Sequence, residues 1–123
     1  MARWLFKTEP TAYSFDRLVA EKRTTWDGVK NPLARRHLQA VKKGDEIAIY
    51  HTGNVKAVVG VARAAADAKE DAVAIVPVRA VGPVTLASIK ADPRYKDFAL
   101  VRMGRLSVMP VPDALWGPLT GTS

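Results

Sequence analysis

Cysteine is absent from this chain of 123 residues, and histidine occurs only twice. No disulfide, thiolate nucleophile or thiolate metal site is therefore open to it, and His37 and His51 alone are a poor basis for a transition-metal centre. Also missing is any apolar run near the roughly 20 residues that span a bilayer, and no long apolar stretch follows the basic residue at the N-terminus. These absences predict a cytoplasmic protein with no membrane, no cofactor and no metal. Internal repeats, linkers and low-complexity tracts are lacking too, so residues 1–123 are expected to form a single domain, and a monomer. Aromatic side chains are scarce at 7%, which gives weight to where they stand.

Two of the three tryptophans fall within the first thirty positions, in Trp4-Leu5-Phe6-Lys7-Thr8-Glu9-Pro10 and Trp26-Asp27-Gly28-Val29-Lys30-Asn31-Pro32-Leu33-Ala34-Arg35. Gly44-Asp45 and Tyr50-His51-Thr52 follow. Glu9-Pro10, Asp27-Gly28 and Asn31-Pro32 mark chain reversals, where backbone groups become available to a ligand. Two indoles, each close to a lysine and a hydrogen-bonding side chain, suit a flat, partly polar ligand that stacks and is then read at its edges. Nineteen Lys and Arg against twelve Asp and Glu give a formal charge of +7, which favours a polyanionic partner but is also common among soluble domains.

The hydrophobic spacing predicts a strand over Arg3 to Lys7 and a helix capped by Ser14 and running to about Lys22, with Tyr13 and Leu18 placed as a hydrophobic staple. Asn31 caps a second helix, with Pro32 in its first turn, Gly44 just after its end and Ala34, Leu38 and Val41 facing inward. That stripe leaves Arg35, Arg36 and Lys42 for solvent or phosphate. From Asp45 the period becomes that of strands: Ile47 and Ile49 alternate with Ala48 and Tyr50. Ala57 to Ala65, Ala72 to Val81 and Arg105 to Val111 are further β-rich runs. Thr85 opens a short helix, and Pro93 to Asp97 is a turn or helical loop. The expected fold class is α/β (α+β), a small barrel made from a curved, mostly antiparallel sheet with helices over its openings.

Several residues carry two readings each. Trp26 is either a stacking platform beside the Asp27-Gly28 turn or a core tryptophan. Trp4 and Phe6 share a strand face and belong in the core, while Lys7 and Thr8, ending that strand, offer a charge, a hydroxyl and backbone groups to a base edge. Asn31 reads a base edge or simply caps its helix. Tyr50, His51 and Thr52 stand where a strand meets a Gly-containing loop, a common place for binding side chains, with Tyr50 able to complete a stacking surface. Arg105 and Ser107 share one face of the last strand and either close a pocket, grip phosphate or bond structural carbonyls. His51 with Asp27 or Glu9 admits a small base-modifying or hydrolytic enzyme, against which stands the lack of any recognisable nucleophile beside a base or Gly-rich phosphate loop. A nucleotide- or protein-binding module is the other alternative.

The ordered set of pieces resembles the EVE domain, a member of the PUA-like superfamily that also includes the YTH readers of methylated adenosine. The likeness rests on the two N-terminal segments, on Tyr13-Ser14 with Leu18, on Lys42-Lys43-Gly44-Asp45 before a strand ending Tyr50-His51-Thr52, and on Leu100-Val101-Arg102 with Arg105-Leu106-Ser107-Val108-Met109-Pro110-Val111. It implies a PUA-like fold and a non-catalytic domain that receives a modified base from nucleic acid. Modified cytosine in DNA comes first among the bases, and a modified base in RNA second. The implied pocket draws on Lys7, Thr8, Trp26, Gly28, Val29, Asn31, Tyr50, His51, Thr52, Arg105 and Ser107, with Arg35, Arg36 and Lys42 on phosphate. Trp26 stands where the YTH relatives place a cage tryptophan. The chain departs from the family pattern in its short Ala64 to Asp71 segment, in Thr8 where Ser is commoner, and in His37 where Asn is usual. The short segment puts in question any pocket wall that a longer loop would supply.

Overall fold

The computed structural model describes residues 1–121. Six strands form one sheet: β1 (Arg3–Thr8), β2 (Thr24–Trp26), β3 (Glu46–His51), β4 (Ala57–Ala64), β5 (Val73–Thr85) and β6 (Val108–Pro110), in the spatial order β2-β5-β4-β3-β1-β6. All neighbours run antiparallel except β1 and β3, which run parallel in the register Trp4 with Ile47, Phe6 with Ile49 and Thr8 with His51. The two outer strands of this order, β2 and β6, are not paired with each other, so the sheet is a curled half-barrel rather than a closed one. Register shifts at Ile49/Tyr50, Val58/Gly60 and Val61/Ala62 supply the bends that curl it. The expected α/β class with a curved, mostly antiparallel sheet and flanking helices is what the chain adopts.

Helices α1 (Phe15–Glu21), α2 (Pro32–Gln39), α3 (Leu86–Ala91), α4 (Ala99–Arg102) and α5 (Asp113–Leu119) surround the sheet, with a 3-10 turn at Pro93–Tyr95. Three of them begin as their sequences predict. The Ser14 hydroxyl accepts from the Arg17 N–H, the Thr85 hydroxyl from Ser88, and Asn31 Oδ1 from both Leu33 (2.9 Å) and Ala34 (3.0 Å). Phe15, at the start of α1, lies on Gly60 of β4. A Cβ at residue 60 would overlap the ring, which fixes glycine there.

Four expectations need correction. β3 does not alternate: Ile47, Ala48, Ile49 and Tyr50 are all buried, because a central strand covered on both faces hides every side chain. Helix α2 stops at Gln39, well before Gly44, because the Lys42 N–H turns to Asp45 Oδ2 at 2.9 Å and leaves the helical ladder. The 105–111 run pairs only over Val108–Pro110, and β5 extends past Val81 to Thr85. β2, α4 and α5 are additional elements. α5 contains Gly117 and Pro118, poor helix formers, yet buries Leu115, Trp116 and Leu119. Arg3 ties it to β1, pairing with Asp113 at 3.2 Å and lying 5.4 Å from the Trp116 ring centroid.

One buried polar group joins these parts. Asp45 is 4% exposed and accepts three hydrogen bonds, from the Ala2 N–H (3.0 Å), the Trp4 indole N–H (2.9 Å) and the Lys42 N–H (2.9 Å). Hydrogen bonds to a charged group contribute about 1.5–3 kcal/mol each, and buried donors left without partners add their own desolvation cost. Asp45→Ala should therefore lose about 3 kcal/mol or more, read as a fall in Tm of roughly 10 °C. Asp45→Asn, which keeps one acceptor oxygen, should fall less. A melting curve for Asp45→Ala close to wild type would refute this role.

Candidate functional site

The margins of the half-barrel approach each other where Trp26, on edge strand β2, meets Phe6 of β1, their ring centroids 5.4 Å apart at 45°. Beside this contact opens a cavity of about 530 Å³. Three segments build it: the end of β1 with Lys7, Thr8 and Glu9; β2 and its following turn, from Thr24 to Lys30; and Ser107, just ahead of β6, with Tyr13 closing one side. Its size falls within the range of small-ligand pockets, about 300–1,000 Å³.

Trp26 stands between its two readings. It is half-buried, packs on Phe6, meets Tyr13 edge-on (6.1 Å, 89°) and still lines the cavity. Its indole N–H has no protein partner among the described residues, nor has the Ser107 hydroxyl. Gly28 holds φ at +72° with no atom near an added Cβ, so glycine serves the turn's left-handed backbone there. The Thr8 hydroxyl donates to the Tyr13 carbonyl at 2.8 Å, fixing the 9–13 loop as a wall. The ammonium of Lys7 donates to the Gly104 carbonyl at 2.9 Å, 5.8 Å from the Tyr50 ring centroid, and burial pushes its pKa down. Two cations, Lys7 and Lys30, face two anions, Glu9 and Asp27, so the lining is balanced in formal charge.

Of the residues predicted from sequence, Lys7, Thr8, Trp26, Gly28, Val29 and Ser107 come together here. Five others lie outside this lining. Asn31 is exposed and spends its side-chain oxygen as the α2 cap. Tyr50 is 3% exposed, on the far side of Lys7, and cannot extend a stacking surface into this cavity. Thr52 bonds back to β1, its N–H to the Thr8 carbonyl at 2.9 Å and its hydroxyl to Glu9 at 3.3 Å. Arg105 is exposed and lines no cavity among the described residues. His51 Nε2 accepts from the Phe15 N–H at 3.0 Å, so its lone pair serves the start of α1. Glu9, Tyr13, Thr24, Thr25, Asp27 and Lys30 are the lining residues that sequence reasoning did not place in the pocket. Glu9 and Asp27 stood beside motifs that pointed here, whereas Thr24 and Thr25 belong to a strand too short to show a period.

On α2, Arg35 pairs with Asp71 at 2.5 Å, and Gln39 also donates to that carboxylate. These two donors, Gln39 first, hold the Asp71 carboxyl below its ordinary range. Arg36 and Lys42 are exposed, and their side chains have no ion pair among the described residues. The short 64–71 segment clips onto the end of α2 through Ala68 N–H to the Val41 carbonyl and Lys43 N–H to Asp67. It supplies no wall of the cavity. Among the described residues no three His, Asp or Glu side chains are grouped to hold a metal ion, and no helix is long and apolar enough to cross a membrane.

Burial lowers the His51 pKa, outweighing the opposing fields of Asp16 and Glu9. The folded state thus binds the proton less readily than the unfolded chain. Stability from this group is full above the ordinary imidazole value of about 6.5 and is lost as pH falls below it toward the folded value. His51→Gln keeps an acceptor for Phe15 but cannot titrate. Its melting temperature should therefore decline less between pH 7 and pH 5 than that of wild type, and identical slopes would remove His51 from the acid response.

The family model of the EVE domain matches residues 2–120. The solved structure of Rpa0253 from Rhodopseudomonas palustris superposes with a TM-score of 0.92 at 36% identity, covering 98% of this chain and 92% of that one. Human THYN1, in a complex with DNA containing 5-methylcytosine, superposes with a TM-score of 0.88 at 24% identity, covering 98% and 96%. Human thymocyte nuclear protein 1 is 40% identical over an alignment of 62 residues that covers 42% of this chain and only 28% of that protein.

Proposed function

Since the chain belongs to the EVE-domain family, we propose that its cavity takes up one modified base of a nucleic acid and binds it without chemical change. The observation that carries this reading is the charge-balanced cavity with Trp26 in its wall and unpartnered donors at its rim. A neutral, flat, polar-edged molecule fits such a lining better than a phosphate does. Human THYN1 is bound to DNA containing 5-methylcytosine, which makes modified cytosine in DNA the first candidate here.

A base must leave its stack to be inspected, at a cost of a few kcal/mol, and stacking on an aromatic ring returns roughly 1–3 kcal/mol. Thr8, Ser107 and the backbone around Gly28 would read the base edge, and Val29 offers an apolar contact to an added methyl. One buried methyl contributes about 0.8 kcal/mol, or about fourfold in affinity, so preference for a methylated base over its parent should be modest. Arg36 and Lys42 are the phosphate contacts on the α2 side, whereas Arg35 must first exchange Asp71. Binding without turnover is supported by His51, whose lone pair is already committed to Phe15, and by Ser107, whose hydroxyl makes no hydrogen bond to a base among the described residues.

Trp26→Ala should weaken binding of an oligonucleotide carrying 5-methylcytosine by about ten- to a hundredfold while the protein stays folded. Trp26→Phe, which keeps a ring against Phe6, should recover most of the loss. Titration and thermal melting on the same variants separate stacking from packing. Affinity unchanged in Trp26→Ala, or a variant that no longer folds, would reject the assignment.

A further inference from the structure

Lys7 also lines a second, narrower groove of about 220 Å³ between the end of β3, the loop after it, α3 and α4. Past Lys56, Leu86 and Lys90 the groove continues into a shallow depression of about 330 Å³. Its charge differs from that of the first cavity. Lys7, Lys56 and Lys90 line it, and no carboxylate is among the residues lining either part, although Glu9 touches Thr52 and Gly53 at its edge. The ammonium groups of Lys56 and Lys90 make no hydrogen bond or ion pair among the described residues, where every ion pair is made by an arginine.

The backbone fixes where these cations stand. Lys56 has φ +49°, in the left-handed region, and its carbonyl accepts the Leu86 N–H at 2.7 Å, which pins the loop to the start of α3. Lys90 lies one helical turn beyond Leu86, on the same face. Between the cations the floor is apolar, with Leu86, Leu100 and Val101. A cationic slot with an apolar floor, adjoining a charge-balanced cavity, matches a strand of nucleotides: charged phosphates and less polar sugars beside one neutral base.

We propose that this groove holds the sugar-phosphate backbone next to the base that enters the cavity, with Lys56 and Lys90 each on a phosphate and Leu86 and Val101 against a sugar. The proposal rests on the reading of the cavity as a base pocket and adds a path for the strand that carries the base. Lys7, shared by both depressions, marks the crossing from one to the other. Such grooves bind irrespective of sequence, and their strength falls with salt as counterions are released.

The test uses the Lys56→Gln/Lys90→Gln double variant, an unmodified single-stranded DNA oligonucleotide, and the same strand with one 5-methylcytosine, titrated over a salt series. Both strands should lose affinity alike, by about tenfold or more near 0.1 M salt, and the plot of log affinity against log salt should become shallower by about 1.4, two phosphates at about 0.7 each. The ratio between the strands should not change. A control double variant, Lys69→Gln/Lys96→Gln, removes the same charge from residues that line neither depression and should keep the wild-type slope. An unchanged slope in Lys56→Gln/Lys90→Gln, or an equal change in the control, overturns the groove. Loss of slope in a protein that shows no preference between the strands sinks the base pocket and leaves the groove standing. A wild type that binds neither strand rejects both.

Discussion

The two carboxylate oxygens of Asp45 tie the start of the chain, through the Ala2 N–H and the Trp4 indole, to the turn before β3, where the Lys42 N–H closes on the same group. With β1 anchored there, its parallel register on β3 follows, and each later pair along the strands is set. Thr8 then falls opposite His51, and Lys7 opposite Tyr50. The side chains that rim the cavity are thus positioned from the far end of the strand. A slip of one residue would send Lys7 to the other face and bury its charge.

Charge divides the surface around the pocket into two kinds. The cavity sets Lys7 and Lys30 against Glu9 and Asp27, while the groove beside it has lysines alone. On the proposed reading, recognition of a base and retention of its strand make opposite electrostatic demands. A strongly positive pocket would draw phosphate into the space meant for the base, and a neutral groove would leave the strand unheld. Placing a shared lysine between the two meets both demands with few residues.

Much of the fold was legible because it rests on local signals. Ser14, Asn31 and Thr85 cap helices where the sequence places them, and β1 and the curved, mostly antiparallel sheet stand as expected. The failures share one cause: they depend on what lies across the fold. β2 is three residues long and has no period to detect. Trp116 and Leu119 are covered by the sheet, which makes a helix of a stretch holding glycine and proline. Tyr50 looked like a binding aromatic in its motif, and only the burial of β3 on both faces shows that it belongs to the core. The family resemblance preserved the order of the motifs, but their depth beneath the surface required coordinates. His51 and Thr52 illustrate this: both sit beside cavity residues in the chain, yet both turn their polar atoms inward to hold α1 and β1.

The half-barrel also has a colloidal consequence. An open sheet exposes unpaired backbone at its margins, an invitation to join another sheet edge to edge. Here the two margins are β2 and β6, each three residues long. Each by itself offers little ladder for a passing strand to grow on, and an excess of positive charge opposes the approach of like molecules. Short outer strands and a positive surface thus both work against edge-to-edge pairing in a barrel that stays open.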